Sequence, residues 1–422
     1  MKVTISESGD HFLRGGKKFF YLADTCWSAF TNASLDDWKY YLEYRRMQGF
    51  NALQINVLPQ HDRSELNAFP EPFKQASSGV WDFSKVNEEY FDRAEKMVGM
   101  AVEAGFTLAL VVLWCNYVPG TWGSRLIKPT RVIPRENLES YVEYVAEKFG
   151  KYDPVFVISG DTNFENEEAV EYYTTALKVV KSRGYSCLTT MHLMGGLWEL
   201  PEAVWKSPYY DFYMYQSGHD RDSQRLAYEL AEKFYRMPVK RPVVNGEPCY
   251  EGIAGGKYNR FTRADVRRAV WWSLLSGAKA GVAYGALGIW NWHKLERVFY
   301  GEGYSGPSYD WRSALGFKGA FDVAFAKWLF EKHDLFDIKP ANEVLSPMNQ
   351  DIRVAQGKGK LVVYAPYNWD VKLRVDSASY EWEGFALETR SFIKPVVEES
   401  GDCTLIRMPE LNSDILLIGV GD

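Results

Sequence analysis

The stretch EAGFTLALVVLW, residues 103–114, joins two kinds of secondary structure at one glycine. The residues before Gly105 end an amphipathic helical run, and those after it are apolar almost without a break. A glycine here lets a helix end in the left-handed conformation before the chain turns into a strand. A continuously apolar strand is typical of parallel strands that are covered on both faces.

The same junction recurs along the chain, in MQGFNALQINVLP, KFGKYDPVFVIS and SRGYSCLTTMHL, with Gly49, Gly150 and Gly184 at the helix ends. Repeated alternation of helix and strand predicts an α/β fold with a parallel sheet. We predict strands over 19–24, 51–57, 106–114, 154–160, 186–192, 211–216, 242–247 and 281–286. We predict helices over 34–48, 87–104, 136–149, 166–183, 221–236, 263–277 and 313–332.

Eight strands with intervening helices predict a (β/α)₈ TIM barrel over residues 1–338. The alternative is a doubly wound open sheet, which would favour a G-x-G-x-x-G or phosphate-binding loop after an early strand, and the sequence has neither. Over residues 339–422 the pattern changes to short alternating runs broken by turn residues, as in DIRVAQGKGKLVVYAPYNW. These runs predict a small antiparallel β-sandwich domain, which we expect to pack against the barrel because no low-complexity linker separates the two.

Composition excludes several classes of protein. The 422 residues carry a net charge of -6 with basic residues scattered, which argues against a nucleic-acid partner. No apolar run reaches the length of a signal sequence or membrane span, so we expect a cytoplasmic protein without a membrane partner. The 5 cysteines are widely spaced and never form C-x-x-C, which indicates reduced thiols. The oligomeric state stays open.

Polar or aromatic residues follow every predicted strand, where the working residues of barrel enzymes lie. In strand order they are Asp24 and Trp27; Asn56, Gln60, His61 and Asp62; Trp114; Asp161 and Asn163; His192; Tyr215, Gln216 and His219; Glu247; and Trp290 and Trp292.

Asp161 and Glu247 stand out because each follows an uninterrupted apolar strand, and the fourth and seventh strands can present side chains across the barrel mouth. A carboxylate pair in a cleft lined by Trp and Tyr is the apparatus of glycoside hydrolysis. A strand-end carboxylate can equally cap a helix or pair with an arginine.

The other candidates have two interpretations each. Asp24 is either a ligand of substrate hydroxyls or an anchor of the first loop. His192 and His219 are hydrogen-bonding residues or, with Asp24, metal ligands; the absence of H-x-H and H-E-x-x-H disfavours a metal, and we expect no cofactor. The loop YVPGTWGSRL either closes the cleft or meets a neighbour. Four tryptophans are either core residues or flat surfaces on which a sugar ring can stack: Trp27, Trp114, Trp290 and Trp292. Trp290 is favoured as a sugar platform because it follows the last strand.

Five stretches in order, FYLADTCWSAF, YLEYRRMQGFNALQINVLP, FVISGDTNF, VVNGEPCYEG and VAYGALGIWNW, resemble the apiosidase-like glycoside hydrolases. In that family a β-rich module labelled as collagen-binding commonly follows the barrel. The resemblance implies Asp161 as acid/base and Glu247 as nucleophile. The pairing is also similar to a large clan of retaining barrel glycosidases, which usually has Asn-Glu where this chain has Gly160-Asp161; we favour retention over inversion.

We therefore expect a glycoside hydrolase that acts on a plant- or microbe-derived oligosaccharide. Its binding residues are expected to be Asp24, Trp27, Asn56, Trp114, Asn163, His192, Tyr215 and Trp290. Among these, Tyr215 is expected to hold the Glu247 carboxylate. The alternatives are a non-catalytic carbohydrate-binding protein and a metal-dependent barrel hydrolase. We expect the C-terminal module to buttress the barrel. The sugar, the linkage and exo or endo action stay open.

Overall fold

A computed structural model describes residues 2–65, 70–77, 79–126, 131–183, 185–255, 259–376, 379–409 and 413–421. Within them, 8 parallel strands form one sheet in the order β5-β4-β3-β2-β1-β8-β7-β6. The strands are β1 Tyr21–Thr25, β2 Ala52–Asn56, β3 Thr107–Trp114, β4 Val155–Gly160, β5 Thr189–Thr190, β6 Tyr213–Gln216, β7 Val243–Glu247 and β8 Gly281–Tyr284. A parallel bridge between His192 and Met214 joins β5 to β6, so the sheet comes round into a barrel.

Helices pack around this sheet and alternate with its strands. They are α1 Leu35–Gln48, α2 Glu88–Glu103, α3 Arg135–Phe149, α4 Glu167–Ser182, α5 Leu226–Tyr235, α6 Arg263–Leu275 and α7 Lys318–Lys332. A short helix, Glu202–Trp205, lies between β5 and β6. This architecture confirms the predicted (β/α)₈ barrel.

The fifth strand is shorter than the predicted 186–192 because side chains take its main-chain hydrogen bonds. Lys181 Nζ donates to the carbonyl oxygen of Cys187 at 2.9 Å, and the N–H of Thr189 donates to the Asp211 carboxylate at 2.7 Å. A main-chain group bonded in this way is not available to a strand partner.

Two of the predicted helix-ending glycines are left-handed, Gly49 with φ 99° and Gly105 with φ 91°. The prediction for Gly150 is wrong. Its φ is -56°, and α3 continues there into a 3₁₀ turn. A Cβ at Gly150 would lie 2.7 Å from the Tyr185 ring, so close packing requires the glycine. Gly184 lies outside the described residues.

Short strands that the sequence did not predict surround the barrel. The strands Val3–Ile5, Phe12–Arg14 and Lys17–Phe19 form an antiparallel sheet before β1, and Phe73–Ser77 pairs with Val80–Val86 between β2 and α2. None of the described helices is long and apolar enough to cross a membrane. The cytoplasmic location stays a prediction.

The C-terminal segment forms antiparallel sheets, as expected. One has the order β9-β10-β11-β17-β13-β14 and the other β12-β16-β15. Their strands are β9 Lys339–Pro340, β10 Arg353–Gly357, β11 Lys360–Ala365, β12 Val371–Leu373, β13 Glu381–Ala386, β14 Ser391–Ile393, β15 Val396–Ser400, β16 Cys403–Arg407 and β17 Ile415–Val420.

The larger sheet buries both faces, because side chains alternate along each strand. On β11, Val363 belongs to an apolar cluster that also holds Leu373 and Ile406 of the smaller sheet. The next residue, Tyr364, belongs to the barrel core instead and stacks on Trp271 of α6. The domain boundary at 338/339 stays a prediction.

Candidate active site

A pocket of about 550 Å³ lies at the carboxyl ends of the barrel strands. Among the residues predicted for the site, those that line it are Trp27, Trp114, Asp161, Glu247 and Trp290. Other residues of its wall include Gln60, His61, Asp62, Trp122, Gln216, His219, Asp220, Tyr250 and Tyr304. The structure thus brings both predicted catalytic carboxyl groups and three of the predicted tryptophans to one pocket.

Glu247 ends β7, and side chains that end or follow β5 and β6 surround its carboxylate group. Oε1 accepts a hydrogen bond from His219 Nε2 at 2.8 Å and another from Gln216 Nε2 at 3.1 Å. Oε2 lies 3.2 Å from His192 Nε2. The carboxylate is therefore fixed in orientation as well as buried.

Main-chain N–H groups determine which nitrogen of each histidine carries the proton. The N–H of Asp161 donates to Nδ1 of His192 at 3.3 Å, and the N–H of Tyr250 donates to Nδ1 of His219 at 3.2 Å. A neutral imidazole that accepts at Nδ1 carries its hydrogen on Nε2. His219 therefore donates from Nε2 to Glu247, and His192 carries its N–H on the nitrogen that lies 3.2 Å from Oε2.

These contacts keep Glu247 ionised. Burial by itself would raise the pKa of this carboxyl group, but the hydrogen bonds from His192 and His219 outweigh burial and lower the pKa to about 2. Glu247 is therefore a carboxylate at any pH near neutrality.

Asp161 has the opposite environment. Burial raises the pKa of its carboxyl group well above the usual range, and the negative charges of Glu247 and Asp62 raise it further. Among the described residues, none donates a hydrogen bond to this carboxyl group, whereas the Asp161 carbonyl oxygen accepts one from Trp122 Nε1 at 2.9 Å. Two carboxyl groups whose pKa values are shifted in opposite directions therefore meet at one pocket, and shifts of this kind favour different roles for the two groups.

Each carboxyl residue follows a glycine that its neighbours leave no room to replace. A Cβ at Gly160 would collide with the Trp114 ring, and one at Gly246 would collide with the Met214 side chain. Asp161 itself has a φ of 52°, in the left-handed region. The chain turns sharply at the end of β4 and so brings the carboxyl group to the pocket.

Two predicted residues lie away from the pocket because they face the helices. Asp24 is fully buried and accepts hydrogen bonds from Arg45 Nε at 2.6 Å and the Tyr41 hydroxyl at 2.5 Å. It thus anchors β1 to α1 and is not placed to bind a sugar hydroxyl. The Tyr215 hydroxyl donates to the Ala227 carbonyl oxygen at 2.7 Å, so the expectation that Tyr215 holds Glu247 is corrected.

The remaining predicted residues support the site or lie outside it. Asn56 is buried and donates to the side chain of Gln60, a pocket residue. His192 contacts Glu247 from behind the pocket wall. Asn163 does not line the pocket, and Trp292 stacks on Trp311 in the core, with ring centroids 4.9 Å apart.

Sequence reasoning missed the roles of three residues in the pocket wall. Gln216 and His219 hold Glu247, and Trp122 bonds to the main chain of Asp161. The loop YVPGTWGSRL, which was expected either to close the cleft or to meet a neighbour, contains Trp122, although that residue was not singled out. Alternation along β6 could have favoured Gln216 over Tyr215, because adjacent strand residues point in opposite directions.

A barrel whose pocket holds a pair of carboxyl groups has the arrangement typical of glycoside hydrolases. Residues 6–337 match the family model described as "Apiosidase-like, catalytic domain". The chain therefore belongs to the apiosidase-like family and is a glycosidase, which confirms the resemblance seen in the sequence.

Solved structures show the same fold at low sequence identity. A protein described as "Glycoside hydrolase" is 20% identical with a TM-score of 0.83, over 100% of this chain and 97% of that one. A glycoside hydrolase family 5 protein from Bacteroides vulgatus ATCC 8482 is 20% identical with a TM-score of 0.82, over 100% and 93%. A second glycoside hydrolase from the same organism, titled as putative, is 14% identical with a TM-score of 0.70, over 99% and 82%. No curated protein matches the chain.

Proposed function

We propose that the chain hydrolyses a glycosidic bond of a plant- or microbe-derived oligosaccharide with retention of anomeric configuration. Asp161 is the acid/base and Glu247 the nucleophile. The observation that carries this proposal is the placement of both carboxyl groups in the wall of one pocket, where hydrogen bonds hold Glu247 and none reaches the Asp161 carboxyl group from the described residues. The pKa shifts, upward for Asp161 and downward to about 2 for Glu247, support the same roles.

In the first step, the Asp161 carboxyl group donates its proton to the glycosidic oxygen while the bond from that oxygen to the anomeric carbon breaks. A Glu247 oxygen attacks the same carbon and forms a glycosyl ester. Oε1 already accepts two hydrogen bonds, whereas Oε2 has a single, longer contact with His192, so Oε2 is the better placed attacking atom.

In the second step, Asp161, now ionised, takes a proton from water as the water oxygen attacks the anomeric carbon. The ester bond breaks, and Glu247 leaves as a carboxylate. The N–H donors of His219 and Gln216 stabilise that leaving carboxylate through Oε1. The sugar is released with its original configuration, and Asp161 is protonated again.

The first experiment measures sugar release from short plant and microbial oligosaccharides, apiose- and arabinose-containing ones included, by the wild type and by Glu247→Gln. We expect release by the wild type and a loss of several orders of magnitude in the variant. Glu168→Gln, at an exposed position in the first turn of α4, is the matched control and should keep wild-type turnover. Near-wild-type turnover by Glu247→Gln would refute the assignment.

Azide separates the two roles. With Asp161→Ala and an activated aryl glycoside, azide should intercept the glycosyl ester and give a glycosyl azide of retained configuration. With Glu247→Ala, azide should take the place of the nucleophile and give the opposite anomer. NMR of the first sugar that the wild type releases tests retention directly, and an inverted product would make Glu247 a base toward water instead.

A further inference from the structure

We infer that Trp122 and Glu165 are positioning residues, which hold the acid/base Asp161 through its main chain. Glu165 fixes the short helix Trp122–Leu126 beside the end of β4, and Trp122 in turn holds the Asp161 carbonyl oxygen. The inference rests on the proposed function, because it takes Asp161 as the acid/base of the reaction.

The main chain determines where the Asp161 carboxyl group points, because no side chain of the described residues donates a hydrogen bond to it. Its φ of 52° is a conformation that a residue other than glycine keeps only where its surroundings hold it. Both peptide groups of Asp161 are held. Its N–H donates to His192 Nδ1 at 3.3 Å, and its carbonyl oxygen accepts from Trp122 Nε1 at 2.9 Å. The indole N–H therefore fixes the peptide group that follows Asp161.

Glu165 lies in the turn that follows Asp161 and holds Trp122 from the other side. One of its carboxylate oxygens accepts a hydrogen bond from the main-chain N–H of Trp122, and the other accepts one from the Arg125 guanidinium group. The contacts form a closed circuit, since the chain runs from Asp161 to Glu165, and hydrogen bonds lead from Glu165 through Trp122 back to Asp161. Each part of the circuit therefore limits the movement of the others.

A second set of hydrogen bonds holds the loop that carries Trp122. The Gly120 carbonyl oxygen accepts from Arg125 Nη1 at 2.6 Å and from Asn166 Nδ2 at 3.0 Å. The Asn166 Oδ1 atom also accepts from the N–H of Ala169 at 2.9 Å, which caps α4. The start of α4 and the loop before Trp122 are therefore joined to each other as well as to the end of β4.

The position of these residues separates a role at Asp161 from a role in folding. The Arg125 side chain is 59% exposed, and an ion pair with so exposed a partner contributes little to stability. Trp122 lies in the pocket wall and is only partly buried. Loss of the Glu165 or Trp122 contacts should therefore displace Asp161 more than it destabilises the barrel.

The test compares the phenyl and the 2,4-dinitrophenyl glycoside of the sugar that the wild type releases. Dinitrophenolate leaves without a proton, whereas phenolate depends on the acid. Trp122→Phe and Glu165→Ala should therefore lower kcat/KM for the phenyl glycoside at least about 10-fold more than for the dinitrophenyl glycoside. The ratio of the two values, measured on one protein sample, does not depend on the folded fraction, so partial unfolding cannot produce this result.

Matched variants show whether the effect belongs to these contacts. Glu165→Gln keeps an oxygen that can accept from the Trp122 N–H, so its ratio should lie between those of the wild type and Glu165→Ala. Trp328→Phe, at an exposed position of α7, and Glu168→Gln should keep the wild-type ratio. Equal losses for the two glycosides in Trp122→Phe and Glu165→Ala would overturn the inference, because a sugar-binding or purely structural residue does not discriminate between leaving groups.

Asp161→Ala separates this inference from the proposed function, because it removes the acid itself and sets the full size of the effect. If Asp161→Ala lowers kcat/KM equally for both glycosides, Asp161 is not the acid and the proposed function fails together with the inference. If Asp161→Ala shows the selective loss while Trp122→Phe and Glu165→Ala do not, the proposed function stands and the inference alone fails.

Discussion

At the residue scale, the ionisation of Glu247 depends on donors whose own orientation is set by the main chain. His219 is held through Nδ1 by the N–H of Tyr250 and donates from Nε2 to Glu247. His219→Phe removes this donor while burial remains, so the pKa of Glu247 should rise from about 2.

The pH profile of kcat/KM measures this effect. In the proposed mechanism attack requires ionised Glu247, so activity is lost as pH falls through its pKa, and a raised pKa moves the acidic limb of the profile to higher pH. His219→Gln keeps an N–H donor of similar reach and should restore most of the wild-type limb. An acidic limb that is unmoved in His219→Phe would mean that His219 does not control the ionisation of Glu247.

Asp161 should respond to Asp62 in the opposite direction. The negative charge of Asp62 is one of the causes that raise the pKa of Asp161, so Asp62→Asn should lower it. In the proposed mechanism activity requires protonated Asp161 and is lost as pH rises through its pKa, so the basic limb of the kcat/KM profile should move to lower pH. The profile of Asp36→Asn, at an exposed position of α1, is the control, and a basic limb that moves upward in Asp62→Asn would contradict the assignment of Asp161 as the acid.

How far the sequence predicts the site depends on the direction of each side chain. Asp161 and Glu247 could be found because a carboxyl residue at the end of an apolar strand has little besides the barrel mouth to face. Asp24 could not be separated from them by its position alone. Its burial against Arg45 is a contact between β1 and α1 that no local pattern contains. Tyr215 and Gln216 are adjacent in β6, and the pairing of β6 with β7 shifts register between them. Which of the two side chains faces Glu247 therefore depends on the pairing of the strands.

At the scale of the element, a glycine precedes the carboxyl residue in both strands: Gly160 ends β4 just before Asp161, and Gly246 precedes Glu247, the last residue of β7. Gly246→Ala forces a Cβ against the Met214 side chain of β6, and such overpacking typically costs about 1–3 kcal/mol. We expect Gly246→Ala to lower both the free energy of unfolding and kcat, because Glu247 is the next residue.

A double-mutant cycle with Met214→Ala identifies the cause of that loss. Met214→Ala alone leaves a cavity, and the added Cβ fills part of it, so the double variant should be less destabilised than the two single effects added together. Urea unfolding of the four proteins measures this coupling. Strict additivity would show that the glycine is required for a reason other than the contact with Met214.

The regular elements are predictable because their signals are local. Apolar runs indicate the positions of the barrel strands, and Ser34 caps α1 through a hydrogen bond from the N–H of Asp37, only three residues along the chain. The shortness of β5 was not predictable, because it depends on Asp211, which lies far along the chain from Thr189. The strands before β1 were missed because each has only three residues.

At the scale of the whole molecule, the C-terminal sheets cover α6 and thereby explain its sequence. Trp271 and Trp272 are adjacent and both buried, which a helix exposed on one side would not show. Trp271 stacks on Tyr364 of β11, and Trp272 Nε1 donates to the carbonyl oxygen of Asp351 at 2.6 Å. The outer barrel helix α6 therefore packs against the C-terminal sheets as well as against the barrel.

A buried ion-pair network joins the same surfaces. Arg267 of α6 donates from Nε to both oxygens of Asp414, at 2.9 and 2.8 Å, and from Nη1 to Asp322 of α7 at 2.8 Å. The Tyr364 hydroxyl donates to Asp414 at 3.1 Å. Arg267 thus connects two helices of the barrel to the start of β17.

Arg267→Met should therefore destabilise the whole chain, because it leaves the Asp414 carboxylate buried without its main partner and removes one of the two arginines that donate to Asp322. Removing one member of a buried ion pair typically costs about 3–5 kcal/mol. Arg407→Met is the control, since Arg407 also pairs with two carboxylates, Asp370 and Glu398, but on the surface, where we expect little change. Urea unfolding followed by Trp fluorescence and by glycosidase activity should give one transition in the wild type, and that transition should move to lower urea in Arg267→Met. A separate early transition that leaves activity intact would show instead that the C-terminal sheets unfold without the barrel and do not buttress it.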